Sequence, residues 1–152
     1  MDDDVRAFGE ELGRLALERE WSAVHATLAP WMRSTWTPDQ VQRFFEDEYR
    51  SVLQESGVEG MQYPEYPEPA VDGNAFTKAT QLREPISFAD GKLRDVAPEV
   101  TDENVRYWMS LQLQCSDEQM EQLGFDRFCE VWMAVVSTGE GLRVGYWSQG
   151  AY

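Results

Sequence analysis

Cysteine, histidine and positive charge are scarce in this sequence, and each shortage excludes something. The 152 residues include two cysteines and one histidine. Two cysteines make no disulfide framework, and no paired Cys/His spacing suits a structural zinc site. The expectation for Cys115 and Cys129 is a pair of buried free thiols, and a reducing cytoplasm is the expected compartment. Lys and Arg number 13 against 28 Asp and Glu, a formal net charge of -15. A nucleic-acid binder that neutralises phosphates needs the opposite sign. No apolar run reaches the roughly 18 residues of a membrane helix. The start, Met1-Asp2-Asp3-Asp4, is acidic where a secretory or mitochondrial signal is basic. No glycine-rich phosphate loop occurs, Gly139 and Gly141 belonging to a hairpin turn.

Catalytic and metal-binding patterns are equally thin. Any histidine-dependent mechanism must use His25, which shares a helical face with Trp21 and Leu28. A hydrogen-bonded boundary histidine is the expected role there, and no Ser or Cys stands at triad spacing. Asp117, Glu118 and Glu121 read as a solvated turn or short helix rather than a cation site. No metal and no cofactor are expected.

What the chain does have is 42% apolar residues, including six Trp, six Tyr and seven Phe, enough for one core. Acids outnumber bases in every third of the sequence, so the charge belongs to the folded domain and not to a tail. Such a surface either promotes solubility or steers a basic partner toward the protein.

One domain spanning 1–152 is expected: helices over about 3–56, a proline-rich crossover over about 58–85, and an antiparallel sheet over about 86–150. Val5, Phe8, Leu12 and Leu15 recur at helical spacing, and Gly9 and Gly13 beside them permit close approach of a neighbour. Trp21, Val24, His25 and Leu28 form a second short helical face that stops at Ala29-Pro30. A further helix has the best boundaries: Thr37 as cap, Pro38 in the first turn and Gln40 completing a capping box. Its stripe is Val41, Phe44, Phe45, Tyr49, Val52 and Leu53, and Gly57 ends it. The run from Tyr63 to Pro69 reads as an extended surface loop, and Ile86-Ser87-Phe88 as a strand entering a turn at Asp90-Gly91.

Three stronger strands follow. Val105, Tyr107, Met109, Leu111 and Leu113 alternate with Arg106, Trp108, Ser110 and Gln112. Residues 125–137 are apolar on both faces and suit a central strand. In the last strand Leu142, Val144 and Tyr146 alternate with Arg143, Gly145 and Trp147. A turn pairing Thr138 with Gly141 sets Trp132 opposite Trp147, Met133 opposite Tyr146 and Val135 opposite Val144. One surface then carries Trp108, Trp132 and Trp147, rimmed by Arg106, Gln112, Glu130, Arg143 and Gln149. Such a face packs under other parts of the chain, meets a second copy or another protein, or holds a small molecule.

Helices first, a proline-rich crossover and then a long antiparallel sheet resemble the nuclear transport factor 2-like superfamily, the cystatin-like α+β roll. Trp21-Ser22-Ala23-Val24 through Leu28, then Thr37-Pro38-Asp39-Gln40-Val41 and Gly57, is similar to bacterial members of it. Gly141 to Trp147 resembles their last strand. The resemblance implies an α+β fold in which N-terminal helices pack on a curved antiparallel sheet, enclosing a cone-shaped pocket. The superfamily includes isomerases, dehydratases, polyketide cyclases, immunity proteins and protein-binding modules, so the fold alone chooses no function. Its enzymes usually place an Asp or His base inside the cone, and the three strands here offer no acid at a core-facing position.

The resulting expectation is a non-enzymatic acidic module that engages a protein, an immunity-type role against a basic toxin being one case, or that self-associates through the sheet. The alternative is a small hydrophobic ligand, or an isomerase- or cyclase-like substrate, held in the cone by His25, Tyr107 and Tyr146.

Overall fold

A computed structural model describes residues 3–56, 70–78, 87–88, 91–92, 97–101, 103–114 and 127–149. The helices are α1 (Asp3–Leu17), α2 (Trp21–Ala26), α3 (Pro30–Arg33) and α4 (Pro38–Ser56). The strands are β1 (Ala70–Lys78), β2 (Ser87–Phe88), β3 (Gly91–Lys92), β4 (Val105–Gln114), β5 (Arg127–Thr138) and β6 (Gly141–Gln149). β1, β4, β5 and β6 form an antiparallel sheet in that order, and β2 and β3 form a separate hairpin. The architecture is α+β, with the helices in the N-terminal half and three sheet strands in the C-terminal half.

Local chemistry explains the helix boundaries. α1 buries Val5, Gly9, Leu12, Gly13 and Ala16, while Phe8 and Leu15 are only half-buried. The buried stripe is thus rotated toward the two glycines, whose missing side chains let the backbone lie close to its neighbours. α1 ends in a Schellman motif: the Arg19 N–H donates to Ala16 O at 3.1 Å and the Glu20 N–H to Leu15 O at 2.9 Å. Arg19 has φ 59°, the left-handed conformation that glycine usually supplies. Ala29 is extended (φ -62°, ψ 156°), as the residue before a proline must be, and Pro30 opens α3. α3 is one turn long and begins at Pro30, where the second helical face was expected to stop. At the start of α4 the expected capping box forms. The Thr37 N–H donates to Gln40 Oε1 at 2.8 Å and the Gln40 N–H to Thr37 Oγ1 at 3.2 Å.

The main core lies between α1, α2 and α4 and one face of the sheet. It joins Val5, Leu12, Val24, Leu28, Val41 and Phe45 to Tyr107, Met109, Leu111, Val131, Met133, Val135 and Val144. Burying each such side chain is worth roughly 1.5–3 kcal/mol. A smaller cluster covers the other face, where Ala29, Ala97, Val100 and half-buried Trp31 meet Val105, Trp108, Ala134 and Val136. The chain reaches both faces by crossing the β6 edge. The Val144 N–H donates to Thr27 O and the Ala29 N–H to Val144 O, both at 2.8 Å, making a parallel bridge at Leu28. Leu28 points into the main core and Ala29 into the smaller one, as alternation in an extended segment requires.

Four expectations need correction. β1 lies within residues read as crossover; Gly73 and Asn74 disguise it, and its ladder with β4 breaks between Asp72 and Thr77. The register of β6 also departs from the expected one. Thr138 pairs with Gly141 and Val135 with Val144, as expected, but Ala134 then pairs with Tyr146, Met133 with Trp147 and Trp132 with Ser148. Gly145 is the extra residue of a bulge. A Cβ there would meet Val136 Cγ1 at 2.7 Å, so only glycine fits without displacing a neighbour. In β4 a second bulge at Arg106 pairs Val105 with Val136 but Tyr107 with Val135, and moves Val105 to the side of Trp108. The hairpin of β2 and β3 pairs Phe88 with Gly91, placing Gly91 in the returning strand. The proline-rich run, Cys115 and the acids at 117, 118, 121 and 126 lie outside the described residues.

Candidate functional site

A bulge exchanges the faces of every residue beyond it, because strand side chains alternate with period two. Gly145 therefore sends Trp147 into the helix-facing core and brings Tyr146 to the opposite surface. The expected face of Trp108, Trp132 and Trp147 is corrected to Trp108, Trp132 and Tyr146. Trp108 stacks on Trp132 with ring centroids 6.0 Å apart and planes 21° apart, and on Tyr146 at 6.4 Å and 13°. Trp108 is buried, whereas Trp132 and Tyr146 are half-buried. At one end of this rank Trp132 Nε1 and Ser148 Oγ sit on paired residues, shielded from solvent and without a hydrogen-bond partner. An unpaired buried donor costs about 1–3 kcal/mol, and Trp147 Nε1 in the helix-side core is left in the same state.

Trp147 has become the centre of an aromatic core. It stacks on Phe44 at 4.8 Å and meets Trp36 and Phe45 edge-on at 5.3 and 5.7 Å. His25 holds the backbone of Trp36 in place, its Nε2 lying 2.7 Å from Trp36 O. A carbonyl only accepts, so this geometry assigns the ring proton to Nε2. His25 fills the boundary role expected of it.

The expected pocket residues do not converge. Tyr107 is buried on the helix side of the sheet, His25 is half-buried on α2 against the Trp36 backbone, and Tyr146 faces the other way. Glu130 takes its place in β5 opposite Gln112, and neither side chain is among those described.

Arg106 and Arg143 meet instead across a groove of about 550 Å³ between α1 and the β5–β6 turn. Asp4, Phe8, Ser137, Thr138, Glu140 and Leu142 complete most of its lining. Arg106 reaches Ser137 Oγ at 3.5 Å and Asp4 at 3.4 Å. Arg143 donates from Nη1 to Leu142 O at 2.7 Å, and its Nε lies 3.9 Å from Glu140 Oε1. Glu140 is held more closely by Arg33, at 2.8 Å. Sequence reasoning missed Phe8 here because it is remote from both arginines along the chain, and Leu142 because strand alternation assigns it to the face opposite its neighbour Arg143. A glycine inside an alternating strand was the available signal for the β6 bulge.

Among the described residues no three His, Cys, Asp or Glu side chains gather as a metal would require. Among them also, no helix is long and apolar enough to cross a membrane. The acids of the described residues lie mostly at the surface, and one of them, Glu11, is held below the usual carboxylate range by its hydrogen bond from Arg14. The chain matches no protein-family profile, no curated protein and no solved structure.

Proposed function

We propose that this protein is a non-enzymatic, cytoplasmic binding module that engages a basic protein through the outer face of its sheet. The observation that carries this reading is the rank of Trp108, Trp132 and Tyr146 on the face away from α1, α2 and α4. Trp and Tyr are the residues that most often anchor interfaces, and here buried Trp108 stacks on two half-buried rings. The net charge of -15 selects the partner's sign and speeds its approach. The helix-then-sheet order and the capped α4 favour the nuclear transport factor 2-like roll as the fold family, a superfamily that includes such modules.

The test is chemical cross-linking of the purified chain to its partner in cell extract, followed by affinity measurement on the isolated pair. The partner is basic, and its affinity falls steeply from low to high salt because surface charges are screened beyond about 10 Å at 0.1 M. Trp132→Ala weakens binding by about 30-fold or more, the effect of losing an aromatic anchor. A neutral partner with salt-independent affinity, or an unchanged affinity in Trp132→Ala, overturns the reading. So does a homodimer that Trp132→Ala dissociates, since the face then belongs to a second copy.

A further inference from the structure

The edge of β6 is distinct from the aromatic rank, and the chain itself shows that this edge takes up another segment. We infer that a second copy of the protein adds to it, β6 running antiparallel to β6 about a two-fold axis, so that two sheets join into one. Val144 presents its N–H and C=O to the edge, where Thr27 O and the Ala29 N–H meet them. Among the described residues, no segment pairs with β6 on this side beyond that bridge. Side-chain face and hydrogen-bond direction alternate together along a strand. The extra residue at Gly145 shifts both by one, and Trp147 accordingly returns to the face of Val144. The backbone groups of Trp147 and Gln149 therefore point out of the edge, while those of Tyr146 and Ser148 turn toward β5.

The sequence selects the occupant. Edge strands are commonly guarded by lysine, proline or an inward-pointing charge, and β6 has none of these after Arg143. The 28 acids of the chain also avoid both segments that frame the edge, none falling in residues 21–38 or 141–152. A protein of net charge -15 is repelled by its own copy and approaches it most closely where acids are missing. A basic partner gains nothing from that gap. Geometry fixes the register as well. Trp147 of each copy lies opposite Gln149 of the other, both pairs exchanging N–H···O bonds, with Ser148 on the axis. Setting Trp147 opposite Trp147 instead brings Gln149 beside Gly145, a place that residues 27–31 hold through the Leu28 bridge and the Trp31 indole. One edge meeting itself closes the assembly at two chains.

Sedimentation of the full chain across a concentration series is the test, run beside amide hydrogen exchange read by NMR. The expected species is a dimer that tightens about tenfold or more between about 0.02 M and about 0.5 M salt, because screening relieves the mutual repulsion of the acids. This is opposite in sign to the salt effect expected for the basic partner, so the two readings fail separately. Exchange at Trp147 and Gln149 slows as the protein is concentrated, whereas Ser148, bonded to β5, is protected throughout. Gln149→Pro removes an N–H that points away from β5 and weakens the dimer by about tenfold or more. Gln149→Ala, which keeps that N–H, and Trp132→Ala both dimerise like the parent. Circular dichroism checks that each variant folds, and the exchange pattern decides if Gln149→Pro does not. A monomer at about 0.5 mM protein in high salt, a dimer that loosens with added salt, or a dimer that Gln149→Pro leaves intact overturns the inference. So do larger assemblies, loss of the dimer in Gln149→Ala or Trp132→Ala, and Trp147 and Gln149 amides whose exchange is independent of concentration.

Discussion

Replacing Gly145 by alanine tests the central structural claim, that a bulge at this position sorts the aromatic residues between two faces. An added Cβ would lie 2.7 Å from Val136 Cγ1 and 3.1 Å from both Val136 Cγ2 and Val100 Cγ2. Val136 is fully buried and stands on the central strand β5, with Val105 opposite it on β4, so it cannot swing away freely. Overpacking of this kind costs about 1–3 kcal/mol. In a domain of this size the expected fall in Tm is about 2–12 °C. Thermal unfolding measured by circular dichroism reads it directly. The clash also predicts coupling. In a Val136→Ala background the Gly145→Ala cost should shrink by about 1 kcal/mol or more, because the closest atom it strikes, Val136 Cγ1, is gone and only Val100 Cγ2 remains near. Additivity of the two substitutions within about 0.5 kcal/mol refutes the packing argument. An unchanged Tm refutes the register itself.

Three smaller perturbations probe the boundaries and the surface. Thr37→Ala removes half of the α4 capping box and should cost about 0.5–2 kcal/mol in denaturant unfolding. Arg19→Gly places glycine at the left-handed residue that ends α1 and should raise stability by up to about 1 kcal/mol; a loss shows that the Arg19 side chain matters more than its backbone strain. Glu11→Gln tests the exposed pair with Arg14. Because the folded pKa of Glu11 is depressed, its contribution is present above the unfolded carboxylate pKa and disappears as pH falls through the folded value. Screening by solvent limits it to about 0.2–1 kcal/mol near pH 7, and variant and parent should be equally stable near about pH 2.

Much of this fold is legible in the residues, wherever a pattern is long or a cap is explicit. Thr37, Pro38 and Gln40 announce α4, and the alternation through β4 and β5 announces a sheet. The Thr138–Gly141 turn even sets the correct pairing as far as Val135 and Val144. What fails is extrapolation through an irregularity. Each of the bulges at Gly145 and Arg106 inserts a single residue, and each reverses the assignment of side chains beyond it. Tertiary contacts place these insertions: Val136 and Val100 press on Gly145, and the Trp31 indole donates to its carbonyl at 2.9 Å. α3, a single turn, and β1, interrupted by Gly73 and Asn74, carry too little periodicity to be read. At the site, alternation alone puts Arg106 and Arg143 on the rim of an aromatic face. The bulge at Arg106 and the proximity of α1 give both a place on the groove instead.

The clasp that residues 27–31 make on β6 ties together segments far apart along the chain; Trp31 and Gly145 are separated by 114 positions. Contacts of such span are slow to form, because a large loop must close before they contribute any stability. A ribosome delivers Ala29 and Trp31 long before Val144 and Gly145, so during synthesis that hydrophobic segment waits without its strand. Until the last strand arrives, the α2–α3 junction of the nascent chain lacks this cover and stands open to proteases.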